Sequence, residues 1–168
     1  MSEKNGKIAI VPGSFDPMTL GHRALIEKVC KRYEVVYVAV MTNFAKKPFL
    51  ESDMRRRIAE LTLSDLSNAK VIADDGLLVD LFERLHADVV CKGYRNEADL
   101  VYERVQDEWN RAHNPRFLTE LIPAAPGTGE ISSTLVRDRL VKGEDLSGLV
   151  AEQAIPLLLE SFAKSERK

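Results

Sequence analysis

Pro12-Gly13-Ser14-Phe15-Asp16-Pro17-Met18-Thr19-Leu20-Gly21-His22 is the stretch on which the reading of this chain turns. An apolar run over 7–11 precedes it and predicts a strand. A helical pattern over 21–32 follows it, with Leu25, Ile26 and Val29 on one face. Between them, glycine lets the backbone approach a ligand closely, and the helix N-terminus favours an anion. Ser14 offers a hydroxyl. His22 falls in the first helical turn, where a phosphate would sit, and an imidazole there can donate to a phosphorus centre as its charge grows. A Gly-His pair by itself is a helix-capping loop with an incidental histidine. The whole string is far more specific.

Outward from this loop, strand and helix alternate. Glu34 opens a nearly continuous apolar strand over 34–41, and a helix spans 53–63 with Ser52 or Asp53 as cap. Then come a strand over 69–73, a helix over 77–85 and a strand over 87–91. The helix over 98–112 carries Ala98, Val101, Tyr102, Val105, Trp109 and Ala112 at helical spacing. A fifth strand spans 116–122, a helix over 132–140 is closed by Gly143, and a last helix covers 148–163. Continuous apolar strands between amphipathic helices argue an α/β fold: a Rossmann-like, doubly wound, five-stranded parallel sheet in one domain, 1–168. Its core spans about 7–142, with the C-terminal helix outside it. Crossovers should be right-handed, and ligands should bind beyond the carboxyl ends of the strands.

The 168 residues are 45% apolar and 30% charged, ordinary for a globular protein, and the formal charge of -2 gives no global field toward nucleic acid or membrane. No apolar stretch approaches the ~20 residues of a membrane span, and the polar start over 1–7 is no signal peptide, so a cytoplasmic protein is expected. Cys30 and Cys91 sit in apolar runs and read as buried free thiols without zinc spacing. His86 ends a helix and His113 precedes a turn; both read as structural. The charged tail over 164–168 is expected to fray.

The loops at the expected ligand edge carry the remaining chemistry. Thr42-Asn43-Phe44-Ala45-Lys46-Lys47-Pro48 leaves the second strand, and Asp75-Gly76-Leu77-Leu78 the third. Cys91-Lys92-Gly93-Tyr94-Arg95 leaves the fourth and leads to Glu103. Gly127-Thr128-Gly129-Glu130-Ile131-Ser132-Ser133-Thr134 follows the fifth and starts a helix with hydroxyls and amides, an anion site. Each alone is bland: a solvated lysine pair, core leucines after a turn, a basic surface loop, a serine cap. Their joint placement on one sheet edge is what points to a site.

The string ending Thr19-Leu20-Gly21-His22 resembles the T/HxGH signature of the nucleotidyltransferase superfamily. With Lys46-Lys47-Pro48, the Lys92–Glu103 segment and Ile131-Ser132-Ser133-Thr134, the chain resembles bacterial phosphopantetheine adenylyltransferases over about 8–140. The resemblance implies transfer of adenylyl from ATP to 4′-phosphopantetheine, giving dephospho-coenzyme A and pyrophosphate. His22, Lys46 and Arg95 would be catalytic. ATP would meet Ser14, Phe15, His22, Gly93, Tyr94, Arg95, Glu103 and the segment Thr128, Gly129, Glu130, Ile131, Ser132, Ser133 and Thr134. The acceptor would meet Ser14, Lys46, Leu78 and Lys92, while Lys47 faces solvent.

Two departures stand out. Lys92 replaces the usual arginine, keeping charge but losing the bidentate fork, and Thr128 stands where many members carry an aromatic. Mg²⁺ is expected to arrive with ATP, since no carboxylate cage is visible in the sequence. A homo-oligomer, commonly a hexamer, is implied by the resemblance alone. Two rival readings are a related enzyme using nicotinamide or nicotinate mononucleotide, or CTP, and a nucleotide-binding module without turnover. The second predicts a disabled site, which the presence of His22, Lys46, Arg95 and Ser133 argues against.

Overall fold

Apolar segments become the strands of one parallel sheet, with the central strands the most deeply buried: β1 (Ile8–Gly13), β2 (Val35–Met41), β3 (Ala69–Asp74), β4 (Val89–Tyr94) and β5 (Thr119–Pro123). The computed structural model describes residues 4–43 and 45–166. The first residues of the polar start, Phe44 in the lysine loop and the end of the charged tail lie outside the described residues. The helices are α1 (Leu20–Cys30), α2 (Ser52–Thr62), α3 (Leu78–Arg84), α4 (Glu97–His113), α5 (Ser133–Lys142) and α6 (Ile155–Glu166). Among the described residues no helix is long and apolar enough to cross a membrane.

The strand order is β3-β2-β1-β4-β5, so the order reverses between β1 and β4. Successive residues of β1 serve opposite faces. Ala9 and Val11 pack with Ile26, Val29 and Val36 on one side, and Ile10 packs with Val79, Phe82 and Phe117 on the other. A third cluster joins Ile58 of α2 to Val136 and Leu140 of α5 and Leu158 of α6. β1 stays in register with β2 from Ile8↔Val35 to Gly13↔Val40. Its pairing with β4 is confined to Ala9↔Val89 and Ile10↔Val90. Beyond those residues the two central strands part, which opens a crevice at the switch point.

Several boundaries differ from the sequence reading. β4 runs on through Lys92, Gly93 and Tyr94 because β5 pairs with them, Lys92↔Leu121 to Tyr94↔Pro123; these three are strand residues, not loop residues. β1 likewise extends to Gly13. β5 begins at Thr119, although Phe117 before it is buried in the core. The last helix begins at Ile155 rather than 148. Gly148 adopts φ 80, and a single 3-10 turn, Glu152–Ala154, intervenes before Pro156 fits the first turn of α6.

The apolar stripe of α4 is not a core face. Val101, Tyr102, Val105 and Trp109 are exposed, and Asn110 is its buried residue. Trp109 stacks instead on His113, with ring centroids 3.8 Å apart. Cys30 and Cys91 are free and buried, and burial pushes their thiols up to about 11 and about 12.

Candidate active site

A cavity of about 940 Å³ opens where β1 and β4 part. Its floor is the end of β1 and the strand residues Lys92, Gly93 and Tyr94. α1 contributes His22 and Lys28, α3 contributes Leu78, and α4 contributes Asp99 and Glu103. Thr128 and the start of α5 close the remaining side.

The first loop is held by hydrogen bonds among its own atoms. Thr19, fully buried, caps α1: the His22 backbone N–H donates to Thr19 Oγ1 at 3.3 Å. In return the Thr19 backbone N–H donates to His22 Nδ1 at 2.9 Å. This is a capping box with histidine in the role usually held by Glu or Gln. Because a backbone N–H only donates, Nδ1 must carry its lone pair, and a neutral His22 ring carries its proton on Nε2. Burial, and then the Arg95 cation, push His22 down to about 4 from 6.5. Both shifts disfavour imidazolium, so a neutral Nε2–H donor stands in the cavity wall at neutral pH.

Close packing leaves little room for a side chain at two of the site's glycines. A Cβ at Gly13 would lie 2.9 Å from Cζ of Phe15, whose ring sits edge-on to His22 with centroids 5.0 Å apart. A Cβ at Gly21 would meet the Ile131 carbonyl oxygen at 3.3 Å, so the start of α1 presses on the loop before α5.

α5 grips the same loop. Ser133 Oγ donates to the Pro17 carbonyl at 2.7 Å, and Arg137 Nη1 donates to the Asp16 carbonyl at 2.8 Å. Ser132 caps α5 through the Leu135 N–H. Thr128 Oγ1 donates to the Ala125 carbonyl, and Thr134 Oγ1 accepts from Arg137. Much of the hydroxyl chemistry in this segment is therefore spent on shaping the site.

On the opposite wall, Lys92 Nζ lies 2.8 Å from Glu103 Oε2, both largely buried, in an ion pair whose angles fall short of a hydrogen bond. Asp99 accepts from the Arg95 backbone N–H at 3.1 Å and from its Nε at 3.4 Å.

The structure thus brings most of the residues singled out by sequence into one cavity: Ser14, Phe15 and His22 from the first loop, Leu78, and the stretch Lys92 to Arg95 with Glu103. Thr128, Ile131, Ser132, Ser133 and Thr134 complete it. Lys46, Gly129 and Glu130 are exposed and outside its lining. Lys28 and Asp99 were not singled out. The i, i+4 spacing of Asp99 from Arg95 is a signal that could have found it. Arg55, one of three consecutive arginines in α2, is buried beside the site although nothing in its local sequence marks it.

The family model described as cytidylyltransferase-like matches residues 10–139. A phosphopantetheine adenylyltransferase of Rubrobacter xylanophilus is 37% identical over 161 residues, 96% of this chain and 98% of that protein. One from Bdellovibrio bacteriovorus is 34% identical, covering 94% of this chain and 99% of its own length. Among solved structures, nicotinic acid mononucleotide adenylyltransferase of Plasmodium falciparum, complexed with NaAD, shares the fold with a TM-score of 0.65 at 18% identity, covering 96% of this chain and 97% of that one.

Proposed function

The chain belongs to the cytidylyltransferase-like family and, within it, to the phosphopantetheine adenylyltransferases, and on that premise we propose how its residues join ATP and 4′-phosphopantetheine into dephospho-coenzyme A and pyrophosphate. The observation that carries the proposal is the His22 ring, which lines the cavity at the sheet's switch point with Nδ1 held by the Thr19 N–H, while burial disfavours its charged form.

An oxygen of the acceptor phosphate attacks the α-phosphorus of ATP. The bond from that phosphorus to the bridging oxygen of the β-phosphate breaks, and pyrophosphate leaves. The nucleophile is already an oxyanion, so alignment and charge stabilisation do the catalysis without a general base. His22 donates to the α-phosphate as negative charge gathers there. A neutral donor suits this role, since its proton is shared but never surrendered. Arg95, whose Nε donates to Asp99, would face the departing pyrophosphate. The start of α5, from Ser132 to Thr134, points its helix N-terminus at the nucleotide phosphates.

Lys92 takes the acceptor phosphate from the cavity wall, with Ser14 beside it and Leu78 against the pantetheine arm, and Lys46 would reach it from the exposed loop outside the lining. Lys92 must exchange its Glu103 partner for the phosphate, which frees Glu103 to approach the nucleotide.

Among the described residues no group of three or more His, Cys, Asp or Glu is placed to hold a metal ion. In this proposal Mg²⁺ would arrive with ATP, as part of the Mg·ATP substrate, and would supply charge neutralisation on the phosphates. A cytoplasmic homo-oligomer completes the proposal. The exposed apolar stripe of α4 supports the assembly, which light scattering would measure.

The test is pyrophosphate release from Mg·ATP with 4′-phosphopantetheine, compared with nicotinamide mononucleotide, with His22→Ala as control. Release that needs phosphopantetheine and His22 is the expected result. Release with the mononucleotide alone would replace the acceptor. ATP binding without release from either acceptor would leave a CTP-dependent enzyme or a binding module.

A further inference from the structure

Arg55 is among the largest fully buried side chains of the protein, 1% exposed, although it is a permanent cation in a run of three arginines. Burying a guanidinium is costly unless its donors are met. Here they are met by atoms of two loops. Nη1 donates to the Ser14 carbonyl at 3.0 Å and the Met41 carbonyl at 3.1 Å. Nη2 donates to Thr42 Oγ1 at 3.0 Å, and Nε to the Leu50 carbonyl at 3.0 Å.

These partners have a pattern. Met41 and Thr42 are where the chain leaves β2 toward Lys46, and Leu50 is where it returns to α2. Ser14 belongs to the loop after β1. Asp16, also buried, completes the return end: its carboxylate accepts from the Phe49 N–H at 2.7 Å and the Leu50 N–H at 2.8 Å. One guanidinium therefore fixes both ends of the Lys46 loop and ties them to the backbone of Ser14. Its contacts reach neither Arg95 nor the hydroxyls of α5.

We propose that Arg55 is a positioning residue for the acceptor side of the site: by clamping both ends of the Lys46 loop to the Ser14 loop, it sets where Lys46 meets the acceptor phosphate. The inference rests on the adenylyl transfer proposed above. Lysine cannot replace the clamp, because one ammonium cannot span acceptors on three chain segments.

The experiment is a double-mutant cycle on the full chain. Arg55→Lys, Lys46→Ala and the double variant are assayed for pyrophosphate release, and ATP dissociation constants are measured separately without acceptor. Arg55→Lys should lower kcat/KM for 4′-phosphopantetheine by about tenfold or more, while ATP affinity, on which the Ser14 contact also bears, should fall by no more than about threefold. In the Lys46→Ala background the same change should cost less than about threefold, because the loop no longer carries the group being positioned. A purely structural role would weaken ATP in step with the acceptor, or repeat the full loss without Lys46, and either result overturns the proposal.

Should Arg55→Lys not fold, Thr42→Val removes a single contact at the root of the loop and carries the same cycle with a loss of about threefold. Trypsin gives a readout independent of turnover: cleavage after Lys46 should speed up in Arg55→Lys or Thr42→Val. An unchanged rate overturns the clamp. Faster cleavage in a protein whose parent never releases pyrophosphate would keep the clamp and sink the adenylyl-transfer reading instead.

Discussion

Asp16 and Thr19, in the loop between β1 and α1, are 7% and 0% exposed, whereas Val101, Tyr102 and Val105 on α4 are 53%, 61% and 57% exposed. Polarity alone would place these two groups the other way round. The loop can be buried because its polar atoms are met: Asp16 by two N–H groups, Thr19 by the reciprocal bonds with His22, and Arg55 beneath them by four acceptors. α4 packs on the sheet through another face, so its apolar stripe stays exposed. Burial at the site is thus decided by completed hydrogen bonding, and exposure on α4 by which face the sheet has already used.

The comparison can be broken first at His22. Removing the donor that the buried loop holds in place should lower pyrophosphate release by about 10²–10³-fold in His22→Ala, the range for deleting one transition-state donor. A loss below about tenfold would mean that the Thr19 lock serves folding and not catalysis.

A change at Asp16 should be felt next, in stability. Asp16→Ala leaves the N–H groups of Phe49 and Leu50 without their acceptor and should cost about 1–3 kcal/mol in denaturant unfolding. The Thr19→Ala cap deletion should cost about 1 kcal/mol. Nδ1 of His22 should keep its acceptor role, because the backbone N–H of residue 19 that donates to it is retained.

The titration of His22 sharpens the same point. Its folded value, about 4, lies below the 6.5 of an unperturbed ring, so the unfolded chain takes up a proton that the folded one refuses. This contribution destabilises the fold as pH falls from 6.5 toward about 4 and is absent above that window. NMR should find the His22 midpoint near 4, and Arg95→Ala should raise it, since the Arg95 cation is the second cause. A midpoint near 6.5 would show that burial and Arg95 do not shift the ring, and one well above neutral pH would remove the neutral donor from the mechanism.

On α4 the effect on the fold should be smallest. Val105→Ser should change unfolding stability by no more than about 0.5 kcal/mol, because the side chain is largely in solvent. The same substitution should lower the assembled mass in light scattering if the stripe is covered by another copy. A stability loss like that at Asp16, with unchanged mass, would show the stripe to be part of the fold.

The sequence by itself determined the class of fold and the edge at which chemistry gathers. The apolar strands alternate with amphipathic helices too regularly for another architecture, and the turn-rich string before His22 places a histidine at a helix start. Local patterns such as these are governed by residues close in the chain, where periodicity and capping leave clear marks.

What only the tertiary structure decided involves partners far apart in sequence. The extension of β4 through Lys92 to Tyr94 depends on β5 pairing with it. The choice of the buried face of α4 depends on how the helix lies on the sheet. The nature of Arg55 depends on carbonyls of Ser14 and Met41, which no window around it contains. A buried charge and an exposed valine look ordinary in the sequence, because the free energy that puts each in its place comes from groups brought together only when the chain folds.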